Sequence, residues 1–416
     1  MAQLSRDEVL KKAKLKQSLS RADLSGLDLS GMVLDQLDLS RADLDGANLE
    51  GAKLRGANLK NASLREAFLK NADLSQANCD KADLEGAKLD GAKLDGTNLK
   101  RATLEGASFN GASLVGACLA GAELGGAEFG KAALKGADLS HAELTTAYLG
   151  GADLEGATLN NATMTGCNLE EANLSRALLQ DADLGQASAP KARFIQASLL
   201  RCNLEQANLS SADLSEVDLR HANLSGANLS GAMLHGARVA KATLTAIKLA
   251  GILADRIDVS EQGDASEELR GAKAIAFFSG KVDTESDVTR YFGRGDVLRD
   301  ATLEFGPHSS IQIDSRFENC LLTLGDGAEL VIGDSGVLKD CEIRGSGNIT
   351  VHGRFFERKS PGIVGARSLI VSARGALVGA VMQAPEATTF AFQPGCRLRV
   401  KILRPEMHPA LPDAAE

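Results

Sequence analysis

The most constraining feature of the sequence is a five-residue period between Leu19 and Leu249 whose register never slips. The pattern is Ala, a polar residue, Leu, a polar residue, and then usually Gly, Lys, Arg or Asn, as in Arg21-Ala22-Asp23-Leu24-Ser25. Of the 47 central positions in this range, 40 hold Leu, and the residue two places earlier is Ala in 38 cases. A fixed period of this kind indicates a repeat architecture.

A period of five suits neither of the two common elements of secondary structure. A helix repeats every 3.6 residues and would spread the leucines around its surface, while a flat strand would place successive leucines on opposite faces. In extended backbone, however, each Leu and the Ala two residues before it point the same way. A turn after each triplet directs the next triplet inward, so four pentapeptides form one square coil of about 20 residues, and coils stack about 4.8 Å apart.

This stretch resembles the pentapeptide-repeat family, which implies an all-β fold, a right-handed quadrilateral β-helix. We predict about 12 coils over residues 17–252, roughly 55 Å long at the spacing between strands. Residues 1–16 predict a short helix, because Ser5 and Glu8 have the spacing of a capping box. This helix is expected to cover the first coil, which would otherwise expose strand edges; a membrane-surface helix is the alternative.

Several positions within the array depart from the Leu pattern. Phe109 and Phe129 are 20 residues apart and are expected to stack in adjacent coils. Three cysteines occupy Leu or Ala positions and are predicted to be small core residues: Cys79, Cys167 and Cys202. Ala189-Pro190 removes a large core residue and a backbone hydrogen-bond donor, so we expect a local kink or bulge there.

Composition narrows the classes of function. The net charge of −9 is mild for 416 residues and argues against a general nucleic-acid binder. Aromatic residues make up 4% and Trp is absent, so a large aromatic-lined pocket is not expected. The seven cysteines are scattered and odd in number, which does not indicate a disulfide framework. We find no signal-peptide pattern and no run of 18 apolar residues, so we predict no membrane span and a cytoplasmic location.

One face of the predicted coil is strongly polarised. The two outward columns beside Leu24, Leu44 and Leu64 hold ten acids: Asp23, Asp43, Asp45, Asp83, Glu85, Glu105, Glu123, Glu143, Asp183 and Glu205. Only Arg65 opposes them, while the neighbouring corner column holds Arg21, Arg41, Lys81, Arg101 and Arg201, with His141 and His221. The candidate partner-binding surface, named the acidic face below, consists of Asp43, Asp45, Asp83, Glu85, Glu105, Glu123 and Glu143.

Two interpretations of this face remain open. Some pentapeptide-repeat proteins resemble duplex DNA in shape and charge and protect type II topoisomerases from inhibitors. The ten acids span roughly 44 Å, or one charge per about 4.4 Å, at the spacing between strands, whereas duplex DNA carries one per about 1.7 Å. The basic corner would lower the field further, so the simpler interpretation is a solvated face that neutralises itself.

The sequence changes character after the array. Residues 253–296 are interpreted as a cap and linker, with a strand expected over Ala274–Phe278. Residues 297–403 contain short alternating runs separated by Gly-rich turns, such as Leu330-Val331-Ile332 and Ile349-Thr350-Val351, which indicate a second solenoid. These runs, with Ser368-Leu369-Ile370-Val371, resemble the β-helix of the bactofilin family, although the polar segment around Phe355–Pro361 departs from it. Residues 404–416 predict a disordered tail.

The bactofilin resemblance implies end-to-end assembly into filaments. The final coil of the second solenoid is not followed by a covering helix, so it is the candidate self-assembly surface. The residues predicted to form this surface are Phe390, Phe392, Leu398 and Val400. A homo-oligomer formed through the C-terminal domain is therefore one expectation, and an unidentified protein partner is another.

Nothing in the sequence indicates catalysis. The six histidines have unrelated spacings, and the common nucleophile, phosphate-binding and zinc motifs are missing, so no catalytic, cofactor or metal residue is predicted. The predicted function is a non-enzymatic bacterial scaffold, a rigid rod for protein–protein interaction joined to an assembly or docking domain. The alternatives are a DNA-mimic regulator of a type II topoisomerase and a secreted or injected effector.

Overall fold

The computed structural model describes residues 4–270, 272–278, 289–292, 297–356, 361–372, 374–383, 388–394 and 396–403. The chain forms two compact units. The first comprises Met1–Ile257 with Phe278–Gly280, and the second comprises Asp258–Phe277 with Lys281–Glu416. The predicted tail at 404–416 lies outside the described residues.

Within the residues that the structure describes, the regular elements are two short helices and 19 strands. The helices are α1 (Arg6–Lys14) and α2 (Ala272–Phe278). The strands are β1 (Ala237–Arg238), β2 (Arg256–Asp258), β3 (Glu267–Arg270), β4 (Thr289–Phe292), β5 (Val297–Arg299), β6 (Thr302–Phe305), β7 (Ser310–Ile313), β8 (Arg316–Glu318), β9 (Leu321–Leu324), β10 (Glu329–Ile332), β11 (Val337–Lys339), β12 (Glu342–Gly345), β13 (Asn348–Val351), β14 (Arg354–Phe356), β15 (Pro361–Val364), β16 (Ser368–Val371), β17 (Ala376–Gln383), β18 (Thr389–Phe392) and β19 (Arg397–Leu403).

The first unit is a solenoid of parallel single-residue bridges. These bridges run from Asp23↔Asp43 to Met233↔Leu253, and each joins residues 20 positions apart. Four pentapeptides therefore make one coil, as the period predicts. The bridge residue contributes one outward side chain per side of the coil, and the residues before and after it point inward.

Each coil is held to the next by backbone hydrogen bonds around the bridge residue. The Leu24 N–H donates to the Asp43 carbonyl at 2.7 Å, and the Asp43 N–H donates to the Ala22 carbonyl at 2.9 Å. The corners are tight turns in which the Ala22 N–H donates to the Leu19 carbonyl at 3.0 Å. Arg21 in this turn has φ of 59°, a left-handed conformation that explains why Gly is frequent at the equivalent positions.

The core of this solenoid consists of the inward Leu and Ala columns. Phe109 and Phe129 stack in adjacent coils with ring centroids 4.8 Å apart and planes 2° apart, which confirms that prediction. Cys79, Cys167 and Cys202 are free and buried, as predicted. Burial raises the pKa of the Cys79 and Cys167 thiols to about 12, so neither is a reactive thiolate at neutral pH.

Helix α1 packs on the first coil. Its N-terminus is capped by Ser5, which forms a reciprocal capping box with Glu8. Hydrogen bonds to Ser5 hold the pKa of the Glu8 carboxyl below its ordinary value. Val9 is fully buried, the Leu4 N–H donates to the Asp23 carbonyl at 3.1 Å, and Arg6 forms an ion pair with Asp28 at 3.1 Å. These contacts satisfy backbone and apolar groups that have no preceding coil.

The kink expected at Ala189-Pro190 is wrong. Bridges run without interruption through Ser188, and the Pro190 carbonyl accepts from the Glu171 N–H at 3.0 Å. In the next coil the equivalent N–H, that of Ser210, donates to the Asn208 side chain and not to another coil. Proline at this position therefore removes only a local turn hydrogen bond.

The second unit contains a solenoid with three sides. One ladder is β4, β7, β10, β13, β16 and β18; the other two share the long strands β17 and β19, giving six coils within the described residues. The short apolar runs predicted from the sequence are strands of these ladders. Ile311, Leu330, Ile349 and Leu369 form one buried column. The first strand of the ladder that contains this column is β4, which precedes the predicted domain boundary at 297.

The strand expected over Ala274–Phe278 is wrong, because this segment belongs to helix α2. Ala274 and Phe278 are buried while Ile275 is exposed. Burial at positions i and i+4 is the periodicity of a helix and not of a strand. Three alanines favour the helix further, since Ala has the highest helix propensity.

Candidate functional site

The bridges place the acids of the acidic face in columns along the first solenoid. Asp43, Asp83, Glu123 and Glu143 belong to one column, with Ser63 and Thr103 between them. Asp45, Glu85 and Glu105 follow two residues later in the same coils and form the neighbouring column. The acidic face is therefore a continuous outward surface of the molecule.

The aspartates of this face contribute to local structure. Asp43 Oδ1 accepts from the Asp45 N–H at 3.1 Å, and Asp83 Oδ1 accepts from the Glu85 N–H at 3.1 Å. Asp45 accepts from the Arg65 N–H at 3.0 Å and from the Ser63 hydroxyl. Asp is favoured at these positions because its short side chain reaches backbone N–H groups in a turn. These aspartates are thus explained without a partner.

Three glutamates lack such a structural role. Glu105, Glu123 and Glu143 lie in three consecutive coils and are exposed. Glu123 accepts from the Thr103 hydroxyl at 3.3 Å, and Glu143 accepts from the Thr163 hydroxyl at 3.2 Å. Within the part of the chain that the structure describes, none of the three forms an ion pair. They occupy the last three coils of the acidic face.

Two of the corner arginines that the sequence places beside this face, Arg101 and Arg201, pair elsewhere. Arg101 contacts Asp80 at 3.6 Å, on the preceding side of the coil, and Arg201 pairs with Asp181 at 2.7 Å in its own column. Hydrogen bonds from Arg201 hold the pKa of the Asp181 carboxyl below its ordinary value. Arg65 pairs with Glu85 at 2.7 Å. Arg101 and Arg201 therefore do not neutralise the acidic face, and the sequence alone did not reveal the direction of these side chains.

The model of the family "Pentapeptide repeats" matches the chain in consecutive segments, most of them overlapping, from residue 18 to residue 249, with eight copies. The chain belongs to the pentapeptide repeat family. HetL, a pentapeptide repeat protein involved in heterocyst differentiation regulation from the cyanobacterium Nostoc sp. strain PCC 7120, is 33% identical. The match covers 56% of this chain and 97% of HetL, with a TM-score of 0.39.

Two further solved structures are similar over shorter or more divergent stretches. Rfr23, a pentapeptide repeat protein from the cyanobacterium Cyanothece 51142, is 33% identical over 27% of this chain and 60% of its own, with a TM-score of 0.10. Full-length QnrB1, a plasmid-mediated fluoroquinolone resistance protein, is 17% identical over 56% of this chain and 94% of its own, with a TM-score of 0.23. No curated protein matches the chain.

Beyond the pentapeptide repeats, the described residues of the second solenoid include an open cavity with a volume of about 450 Å³. It is lined by Gln312, Asp314, Val331, Gly333, Asp334 and His352. The Asp314 carboxylate accepts from Gln312 at 2.8 Å and from Ser335 at 3.2 Å, so it is already occupied. Among the described residues no group of three or more His, Cys, Asp or Glu is placed to hold a metal ion, and no helix has the length and apolarity needed to cross a membrane.

The candidate self-assembly surface lies on the last coil of the second solenoid. Phe390 packs partly against the core, while Phe392 is 41% exposed, and their ring centroids are 6.0 Å apart. Leu398 and Val400 belong to strand β19, but their side chains lie outside the described residues. The bactofilin resemblance of this unit remains a prediction.

Proposed function

We propose that this pentapeptide repeat protein is a non-enzymatic scaffold of the bacterial cytoplasm. Its first solenoid presents the acidic face to a basic protein partner, and its second solenoid serves as an assembly or docking domain. The observation that carries the proposal is the row formed by Glu105, Glu123 and Glu143, three exposed carboxylates in consecutive coils without a cationic partner among the described residues.

The construction of the coil supports this role. The Leu columns, which are buried from Leu19 to Leu234, and the backbone hydrogen bonds between coils hold each outward side chain on a fixed lattice. A partner that meets such a row gains electrostatic complementarity without ordering the surface first, which lowers the entropic cost of binding. Because exposed carboxylates contribute little to folding stability, these positions can serve partner binding without a cost to the fold.

The test is capture of partners from the lysate of the source organism with purified full-length protein. The triple variant Glu105→Gln, Glu123→Gln, Glu143→Gln removes three charges while keeping side-chain length. We expect it to lose the basic proteins that the wild type retains, whereas its thermal transition stays within a few degrees.

A matched control removes the same charge from another side of the coil. Glu50, Glu128 and Glu170 are exposed and lie on the side that follows the acidic face. The control variant Glu50→Gln, Glu128→Gln, Glu170→Gln should retain the partners. If both triple variants capture the same proteins as the wild type, the acidic face is not the binding surface.

A regulator of a type II topoisomerase is the second candidate, because the acidic face is the surface that a DNA-binding enzyme would meet. The sparse spacing of the charges, about 4.4 Å against about 1.7 Å in duplex DNA, makes close mimicry of DNA the weaker explanation. The two candidate functions can be separated by measuring DNA supercoiling by purified DNA gyrase in the presence of increasing amounts of the protein. Inhibition that the glutamine triple variant abolishes would favour the topoisomerase regulator over the scaffold.

A further inference from the structure

One side of the second solenoid is basic. It consists of strands β5, β8, β11 and β14 with the first parts of β17 and β19, and its outward residues form two columns. The first column in register is Arg316, Val337, Arg354, Ala376 and Arg397. The second begins with Arg299, Glu318, Lys339 and Phe356. We name Arg299, Arg316, Lys339, Arg354 and Arg397 the basic face.

Only part of this charge is neutralised. Glu318 accepts from both Arg299 and Arg316 at 2.8 Å, and these two arginines hold the pKa of its carboxyl below its ordinary value. Lys339, Arg354 and Arg397 form no ion pair with any residue that the structure describes. Asp300 and Asp340 stand at the corner that follows this side, and Arg374 stands at the corner that precedes it. Among the described residues, Lys339, Arg354 and Arg397 are therefore the cations of the basic face that have no ion pair.

The basic and acidic faces have the same charge period. Arg316, Arg354 and Arg397 occupy every second coil of the second solenoid. Asp43, Asp83 and Glu123 occupy every second coil of the first. Parallel coils rise by about 4.8 Å in both solenoids, so both rows repeat every 9.6 Å or so. Two such rows remain in step over several coils when they lie side by side.

We propose that the basic face binds the acidic face of a second copy of this chain, so that copies associate laterally. The inference rests on the proposed function, because it takes the acidic face as a binding surface and names one partner for it. Opposite charges at a shared period give a complementary interface in which several ion pairs form together. The small residues between the arginines, Val337 and Ala376, leave room for close approach of the facing side chains.

A second copy fits these observations better than a nucleic acid. Cations 9.6 Å or so apart match the acidic face, whereas phosphates of duplex DNA follow one another at about 1.7 Å. The chain as a whole carries a net charge of −9, which opposes approach to polyanions but not to a complementary face of the same protein. Binding to DNA or to an anionic membrane is an outcome that the test distinguishes.

The test uses two charge-reversed full-length proteins. The first carries Glu105→Lys, Glu123→Lys and Glu143→Lys, so three cations replace three of the seven acids on its acidic face. The second carries Lys339→Glu, Arg354→Glu and Arg397→Glu, so both of its faces are acidic. Sedimentation velocity is recorded for each alone and for an equimolar mixture, with circular dichroism to verify that both fold.

We expect the wild type to associate at low ionic strength and to dissociate as NaCl approaches 1 M or so, where charges are screened within about 3 Å. Each reversed protein alone should sediment as a monomer, and the mixture should recover the faster species. Folded variants that stay monomeric in the mixture would overturn the proposal. So would wild-type association that is insensitive to salt.

Two further measurements separate this inference from the proposed function. The first is binding of the wild type to duplex DNA or to phosphatidylserine vesicles. If the Lys339, Arg354 and Arg397 reversals abolish this binding and the mixture stays monomeric, the basic face binds that anion. This result would overturn self-association. The proposed function is tested independently by the glutamine triple variant. If that variant retains the lysate partners, the proposed function is overturned. Recovery of the faster species in the mixture of the two charge-reversed proteins would still support lateral association.

Discussion

At the scale of single residues, position within the pentapeptide decides what a side chain can do. Leu139 is fully buried, whereas Asp138 immediately before it faces outward and caps the turn through the Ser140 N–H at 3.0 Å. A translation of 20 residues recreates the same environment in the next coil. Two adjacent positions therefore differ completely: the Leu139 position excludes a charged side chain, whereas the Asp138 position uses a carboxylate to cap the turn.

Charge at an inward position should disrupt the first solenoid. Leu139→Asp places a carboxylate in an apolar column without a partner, which costs several kcal/mol. The thermal transition followed by circular dichroism should fall far below that of the wild type or lose its cooperativity. Leu139→Met conserves volume and should cost less than about 1.5 kcal/mol. Equal melting of the Asp variant and the wild type would show that this register does not point inward.

Asp218 provides a prediction on pH. The carboxylate is buried, which favours its neutral form, but hydrogen bonds from the Arg220 guanidinium and N–H outweigh burial and hold its pKa below the ordinary value of 3.8. Ionised Asp218 therefore stabilises the fold above about pH 4, and this contribution is lost as the pH falls through the lowered pKa. Asp218→Asn should cost about 1–3 kcal/mol at pH 7.

The cost of Asp218→Asn should shrink as the pH is lowered below 3.8, which urea unfolding at several pH values measures. Asp213→Asn is the control, because Asp213 uses only Oδ1 to accept from the Ser215 N–H, and Asn retains that acceptor. A constant cost of Asp218→Asn from pH 7 to pH 3 or so would mean that its charge contributes nothing.

At the scale of elements, the turn at Ser210 and Ser211 separates a local hydrogen bond from one between coils. The Ser210 N–H donates to Asn208 within its own turn, whereas the Ser211 N–H donates to the Ser230 carbonyl of the next coil at 2.8 Å. Ser211 also has φ of 56°. Pro190 occupies the position equivalent to Ser210, which is why the array continues through it.

A proline pair tests this distinction. Ser210→Pro removes one local hydrogen bond and should cost about 1 kcal/mol. Ser211→Pro removes a hydrogen bond between coils and requires a φ near −65°, so it should cost about 3 kcal/mol or more. Urea unfolding of the two variants gives the comparison. Similar destabilisation by both would indicate that the corner hydrogen bonds are not distributed in this way.

At the scale of the whole molecule, the chain contains two solenoids whose ends and sides differ in character. The first solenoid has a helix packed on its first coil, while the last ladder strand of the second, β18, pairs only with β16 among the described strands. An unpaired edge beside exposed Phe392 is an apolar surface, distinct from the charged sides. Association through this end should persist at high salt.

Phe392→Arg tests association through that end. We expect the wild type in 1 M NaCl or so to be monomeric at the dilute concentrations used for sedimentation velocity. At high protein concentration it should form an associated species that light scattering detects, because apolar contacts are not weakened by screening. Phe392→Arg should reduce its mass without unfolding the protein. Thr389→Arg, at an exposed position of the same strand, is the control for added charge. A wild type that is strictly monomeric under these conditions would rule out end-to-end assembly.

The sequence by itself determined the coil of the first solenoid, its inward residues and the columns of the acidic face. It could do so because one local pattern repeats at a fixed period, so a single rule gives the environment of every residue. The short apolar runs from Ile311 to Val371 likewise predicted the strands of a second solenoid, but they left its three sides undetermined.

Tertiary structure decided the features that depend on partners distant in sequence. Arg101 pairs with Asp80 and not with the acidic face, because side-chain direction at a corner depends on both adjoining sides. Pro190 is tolerated because the equivalent N–H does not join coils, which becomes evident only when the ladder is known. Residues 274–278 form a helix because burial of Ala274 and Phe278 favours that periodicity over a strand. A five-residue period fixes local geometry, whereas these choices depend on packing between segments.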